Sequence, residues 1–324
     1  MRRNELPNSI KIEDVSKIAG NIRESVQKVI VGKDEAINLG LLALFCGGHI
    51  LMEDVPGIGK TTMAKALAQS LGCSFKRIQC TPDLMPSDVV GVNLYNQKTA
   101  EFDFSPGPIF SQVLLTDEIN RATPRTQSAL LEAMQEQQVT VDGNTSKLSD
   151  PFLVMATQNP VEMEGTFPLP EAQLDRFMLL LKLGYPTPEE ESDIFLRFEK
   201  KAILPDLSPV ISAEEIIELR KVIPTVRVED KVRNYIVEIV GGTRDNPSIT
   251  LGASPRAGLA LYKGAQAFAA IDGRDYVTPD DIKSLTPSVM PHRIILSSTA
   301  RLQGNTTDQV IEELLNKVPV PISA

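Results

Sequence analysis

The sequence is short of the features that would place it in a membrane, in an oxidising compartment or on nucleic acid. Its most apolar run, Leu39 to Met52, is broken by Gly47, Gly48 and His49 and falls short of the ~20 residues that cross a bilayer. No membrane segment is expected. Met1 to Ile10 is polar and lacks the apolar stretch of a signal peptide. The cysteines, Cys46, Cys73 and Cys80, are odd in number, lack metal-ligand spacing and sit among apolar neighbours. Buried free thiols in a reducing cytoplasm are therefore expected, with no disulfide and no zinc site. His49 and His292 form no metal-site constellation and read as structural residues. With a net charge of −9 and no basic run, the chain lacks the clustered Lys and Arg that release counterions from phosphate backbones, so no nucleic acid partner is expected.

What is present is enough apolar material to fold. The 324 residues are 42% hydrophobic and 23% charged, which suits a soluble globular chain of about two domains. Short apolar runs at Ile50 to Met52, Phe75 to Cys80, Val113 to Thr116, Phe152 to Ala156 and Phe177 to Leu183 alternate with helical patterns. That alternation predicts an α/β fold with one five-stranded, doubly wound sheet. Gly91 to Ser105 and Gln138 to Leu148 alternate apolar and polar residues around turn signals, and read as β-hairpins inserted into that domain. After Gly184 the helix starts carry Ser/Thr-Pro pairs (Thr187-Pro188, Ser254-Pro255, Thr278-Pro279) and capping boxes at Thr187/Glu190 and Ser212/Glu215. Residues 185–324 thus read as an all-helical second domain after a nucleotide-binding domain at 1–184.

Ile50 to Met52 leads into Asp54-Val55-Pro56-Gly57-Ile58-Gly59-Lys60-Thr61-Thr62, and a helical pattern follows. Strand, glycine loop and helix in this order form a phosphate-binding loop. Gly57 and Gly59 let backbone N–H groups curl round an anion at the positive end of the helix, Lys60 supplies charge for the β- and γ-phosphates, and Thr61 can ligate Mg²⁺. The motif's first glycine is replaced by Asp54. Further on, Val113 to Thr116 ends in Asp117 and Glu118. Neighbouring strand residues project to opposite sides, so Asp117 can orient Mg²⁺ while Glu118 takes a proton from the attacking water. The next strand ends at Asn159, whose amide can sense the γ-phosphate. Arg256 sits in a first helical turn, where a cation opposes the helix dipole and invites an anionic partner.

The ordered set Gly57-Ile58-Gly59-Lys60-Thr61, Asp117-Glu118-Ile119-Asn120-Arg121, Ala156-Thr157-Gln158-Asn159-Pro160, Glu171-Ala172-Gln173-Leu174-Asp175-Arg176-Phe177 and Gly252-Ala253-Ser254-Pro255-Arg256 closely resembles the MoxR family of AAA+ ATPases. The resemblance runs from Ile30-Val31-Gly32, similar to the family's adenine-contacting stretch, to Asp272–Thr278, nearly the whole chain. It implies a P-loop NTPase core with hairpin inserts and a helical lid, ATP and Mg²⁺ as ligands, and a homo-oligomeric ring, usually a hexamer. It also implies that Arg176 is an arginine finger reaching a neighbour's γ-phosphate and that Arg256 is a lid sensor for the same subunit's nucleotide. Relatives act as chaperone-like remodelling machines, often with von Willebrand factor A domain proteins. A nucleic-acid-directed motor and a chelatase-like subunit for metal insertion share this chemistry and differ in partner.

Overall fold

The apolar runs marked as buried strands pair into a single sheet. The computed structural model describes residues 10–55, 57–159, 165–199 and 207–321. In chain order the strands are β1 (Ile50–Glu53), β2 (Phe75–Gln79), β3 (Gly91–Asn96), β4 (Glu101–Pro106), β5 (Val113–Asp117), β6 (Gln138–Val141), β7 (Asn144–Lys147), β8 (Leu153–Gln158), β9 (Leu179–Leu181), β10 (Ile249–Leu251) and β11 (Ile295–Leu296). The main sheet is five-stranded and parallel, in the order β2-β5-β8-β1-β9. Buried on both faces, β5 and β8 read as continuous apolar runs, as central parallel strands must. The edge strand β2 carries Lys76 and Arg77, charges that discourage further strand pairing.

Helices cover the sheet: α1 (Ile12–Gln27), α2 (Asp34–Phe45), α3 (Lys60–Ser70), α4 (Pro86–Val90), α5 (Pro124–Glu136) and α6 (Glu171–Leu174). The part expected to form the lid carries α7 (Pro188–Glu199), α8 (Ala213–Val222), α9 (Asp230–Arg244), α10 (Pro255–Ile271), α11 (Pro279–Val289), α12 (Ser298–Leu302) and α13 (Thr307–Lys317). The apolar run that stops short of a membrane span forms most of α2 and then β1. Leu39 to Phe45 is buried throughout, as a helix apolar on all sides must be. It packs against α1, α3, β9 and α10, so sheet domain and lid share one core. Among the described residues no helix is long and apolar enough to cross a membrane.

Both expected hairpins form, β3 with β4 and β6 with β7. The first stands on a backbone contact: a Cβ at Gly107 would lie 2.3 Å from Val89 O and one at Gly91 2.4 Å from Ser105 O. Only glycine permits that approach. From this base the hairpin projects Leu94, Tyr95 and Phe102, which are 55%, 55% and 71% exposed.

Two expectations are corrected. The run Phe177 to Leu183 yields only Leu179–Leu181 as strand, because side chains take the backbone groups on either side: Arg293 donates to Phe177 O and Met178 O, and Asp54 accepts from Leu183 N. The lid is also not wholly helical, since β10 and β11 form a two-stranded antiparallel ribbon. Strands of three and two residues are too short to leave a periodic signature. The predicted caps at Thr187/Glu190, Ser212/Glu215, Ser254 and Thr278 all form.

The histidines are structural. Nδ1 of His49 accepts from Val154 N (3.0 Å), its Nε2 lies 3.1 Å from Met134 O, and the ring meets Phe152 edge-on. Burial pulls its pKa down to about 4, and burial also lowers that of His292 well below the ordinary value. A folded-state pKa depressed below the unfolded ~6.5 means that the unfolded chain binds more protons on acidification. Stability from neutral His49 is complete above pH ~6.5 and drains away as pH falls towards its folded pKa of about 4. Urea titrations should show unfolding free energy dropping across that window by about 3 kcal/mol from His49 alone, with a shallower drop in His49→Gln.

Candidate functional site

Parallel pairing brings the carboxyl ends of β1, β5 and β8 side by side, with Met52 opposite Thr157 and Thr116 opposite Ala156. Ligands bind at such strand ends in open α/β sheets. The cleft here is about 370 Å³, within the range of small-molecule sites. Gly57, Gly59, Lys60, Thr61 and Thr62 form one wall, and Asp117, Glu118 and Asn159 line the remainder. Pro56 lies outside the described residues. Ile58 turns away and packs on the core.

Gly57 and Gly59 have φ of +87° and +92°, the left-handed region that glycine enters at no steric cost. A Cβ at either would meet nothing within 4 Å, so the space beside the loop is open to an anion. α3 begins at Lys60 and aims its free N–H groups at the same space. Lys60 Nζ donates to Asp54 O at 2.7 Å. Partial burial lowers its pKa, while the carboxylates of Asp54, Asp117 and Glu118 pull the other way. Asp54, in the motif's first glycine position, has no positive φ. Its carboxylate instead accepts from Leu183 N (2.5 Å) and Gly184 N (3.1 Å), tying the loop to the segment that leads into the lid.

A residue that the motif reading passed over arranges the acids. Thr157 Oγ1 donates to Asp117 Oδ1 (3.2 Å) and accepts from Glu118 N (2.9 Å). Glu118 itself has φ +55°, an unfavourable backbone state for a residue with a Cβ that this bond helps to hold. Each acid also meets an arginine: Arg77 Nε donates to Asp117 Oδ2 (2.6 Å), and Arg121 Nη1 to Glu118 Oε2 (3.0 Å). Arg77 and Gln79, on the edge strand, line the cleft. Without knowledge of strand order nothing in the sequence ties them to the acids, whereas the position of Thr157, one turn of the pleat before the strand end, could have suggested its role. Thr61 and Asp117 present hydroxyl and carboxylate oxygens, the hard donors that Mg²⁺ requires, so the residues present fit that ion.

Val31 and Gly32 lie outside the phosphate cleft, next to the hinge. Lys33 Nζ donates to Tyr185 O (2.9 Å) and pairs with Glu190 (3.5 Å), which lays the first turn of α7 over this loop.

Arg176 and Arg256 are brought together, but away from the phosphate loop. With Lys263 and Arg293 they line a separate concavity that shares no residue with the cleft. Arg256 thus lines the second concavity beside Arg176 rather than the phosphate cleft. Its helix is anchored elsewhere: Asp175 accepts from Arg293 Nε (2.9 Å) and from the capping hydroxyl of Ser254 (2.8 Å), with Arg256 at 3.8 Å. Arg293 is buried and its remaining N–H groups donate to the carbonyls of Met178, Val289 and Phe177. Arg176 makes no ion pair among the described residues, and its buried Nε has no partner.

Thr157→Val should leave ATP affinity near the parent value yet slow turnover, because both acids lose a tether; ATP titration and steady-state phosphate release separate the two. Asp175→Ala should destabilise the chain by ~3–5 kcal/mol, as loss of one member of a buried pair does, read as a lower urea midpoint.

Comparison with known proteins agrees with this geometry. Residues 49–179 match the model of the ATPase family associated with various cellular activities (AAA), and residues 241–314 match the AAA lid domain. The chain is 53% identical to the uncharacterized protein YeaC of Bacillus subtilis over 96% of its length and 97% of that protein's. It is 40% identical to the chaperone MoxR1 of Mycobacterium tuberculosis, covering 91% of this chain and 80% of that one. The crystal structure of a candidate ATPase from Cytophaga hutchinsonii superposes with a TM-score of 0.90 at 41% identity, covering 96% of this chain and 97% of that one. With a phosphate loop, paired acids and a lid in this arrangement, the chain belongs to the MoxR family of AAA+ ATPases.

Proposed function

We propose that this ATPase drives a chaperone-like ring through composite sites in which one copy supplies the phosphate loop and acids and the next supplies Arg176 and Arg256. The supporting observation is the separation of the two halves: the loop and acids line one concavity, the arginines another. A second copy is the simplest way to bring them onto one triphosphate, and a hexamer is the closed ring that the resemblance favours. Residues 1–184 would be the nucleotide-binding body and 185–324 the lid.

In the composite site Lys60 exchanges the Asp54 carbonyl for phosphate oxygens, and Thr61 and Asp117 hold Mg²⁺. Bound Mg²⁺ supplies charge that offsets the phosphates. Glu118 accepts the proton of the attacking water, and the Asn159 amide orients that water. The neighbour's Arg176, with Arg256 beside it, meets charge that spreads onto the γ-phosphate oxygens during transfer, an effect worth ~10³–10⁵ in rate. Turnover then depends on assembly.

The client is a protein, in this reading, with a von Willebrand factor A domain protein as the expected adaptor, and the reduced cytoplasm suits three cysteines that form no disulfide. The exposed tip of the β3–β4 hairpin supports a protein client over nucleic acid. It offers Leu94, Tyr95 and Phe102, and its only cation, Lys98, is outweighed by Glu101 and Asp103. Nothing in the residues singles out a metal-insertion partner.

Glu118→Gln should bind ATP and lose ~10²–10⁴-fold in turnover. Retained on a column with ATP, this variant should capture the client; capture of nucleic acid would sink the protein-remodelling reading. Arg176→Ala and Arg256→Ala chains should each regain turnover when mixed with Lys60→Ala chains. Failure of Arg256→Ala to be complemented would return that residue to its own subunit's site.

A further inference from the structure

Two unpartnered surfaces flank the two halves of the composite site. α7 is a helix of 12 residues, a length that is marginal in water without packing. None of its side chains described is buried, and Ile194, Phe195 and Leu196 are 42%, 60% and 49% exposed. Among the described residues its polar side-chain contacts to the rest of the chain are at its ends, Glu190 to Lys33 and Arg197 to the carbonyls of Gln27 and Lys28. Its first turn is acidic, with Glu189, Glu190 and Glu191. Through Lys33 its first turn is fastened to the loop before α2, on the domain that carries the phosphate cleft.

The other surface is a groove of about 610 Å³ between α9 and α10. Ile236, Val240 and Gly258 form its floor, where the helices approach closely. Val237 and Leu259, 64% and 58% exposed, stand at its walls, and along it lie Arg233, in an exposed pair with Asp230 at 2.9 Å that a closer acid can replace, and Arg244, which donates its Nε to Ala253 O. Leu259 also lines the concavity of Arg176 and Arg256, so the groove is continuous with the arginine half. One surface is apolar and acidic, the other apolar and basic, and each adjoins the half of the site that the other lacks.

We infer that the α9–α10 groove receives α7 of a neighbouring copy, Phe195 and Leu196 entering the apolar floor while Glu189 and Glu191 approach Arg233 and Arg244. This rests on the composite-site reading above. The contact closes the neighbour's nucleotide half as it delivers Arg176 and Arg256, so that packing of the lid and completion of the site are one event. Apolar burial holds the contact, and the charges fix its register and exclude wrong pairings.

Cysteine cross-linking between differently tagged chains tests this in the full-length protein, on the Glu118→Gln background with ATP·Mg²⁺. Burial raises the thiols of Cys46, Cys73 and Cys80, and the parent chain, which should give no covalent dimer under the same oxidation, is the control. Phe195→Cys chains mixed with Val237→Cys chains, and Leu196→Cys with Leu259→Cys, should form covalent dimers on mild oxidation in at least one pairing, whereas neither partner alone should. Arg233→Glu should raise the concentration for half-assembly about tenfold, as loss and reversal of rim charge does, with ATP binding by the lone chain unchanged. ATP-dependent assembly without any mixed cross-link overturns the groove assignment and leaves the composite site standing. A cross-link within single Phe195→Cys/Val237→Cys chains at high dilution also overturns it, by placing the chain's own α7 in the groove. Absence of ATP-dependent assembly overturns the ring reading and the groove with it.

Discussion

The arrangement of this molecule depends on one buried ion pair, Asp175 with Arg293. Arg293 is 2% exposed and Asp175 14%, so each charge would be costly without the other. Their partners make the pair a junction. Asp175 precedes the last strand of the sheet and also accepts from Ser254 at the start of α10, while Arg293 gathers carbonyls from both sides of that strand's approach. The lid is thereby fixed to the sheet at the one place where Arg176 and Arg256 emerge. Asp175 and Arg176 are adjacent, so the carboxylate that docks α10 and the arginine beside it line the same concavity.

At the opposite concavity the constraint is register. β1, β5 and β8 pair so that a lysine loop, two acids and an asparagine meet at their carboxyl ends. Thr157 converts that proximity into defined positions by bonding to both acids at once. Asp54 does comparable work on the other wall. Where the general loop motif has glycine, its carboxylate binds the backbone at the entrance to the lid, and its carbonyl holds Lys60. A nucleotide that draws Lys60 away therefore acts on a residue already connected to the hinge.

The sheet, the hairpins and the helix caps were legible because each leaves a local pattern: apolar runs ending in turn residues, alternation around Asp142-Gly143, a hydroxyl followed three residues later by an acid. Gly57 to Thr61, Asp117 and Glu118 were legible for the same reason. The β10–β11 ribbon was not, being shorter than one period of any recognisable pattern. Arg77 and Gln79 were hidden because their roles follow from which strands are neighbours. The surroundings of Arg256 were not legible, because a helix start fixes a local direction, whereas the groups it meets, Asp175 and Arg293, lie far away in the chain.

The glycine pair beneath the first hairpin bears on how motion could travel. With backbone against backbone at Gly91 and Gly107 and the Phe104 ring packed beside them, the base has little room to flex, and the hairpin would pivot with α4 as one stiff arm. Strands of six residues give that arm a reach of ~20 Å. A rotation of ~10° at the root would sweep Phe102 and Tyr95 through ~3 Å over such a reach, so a small change near the edge strand that bears Arg77 becomes a sizeable stroke at an aromatic tip.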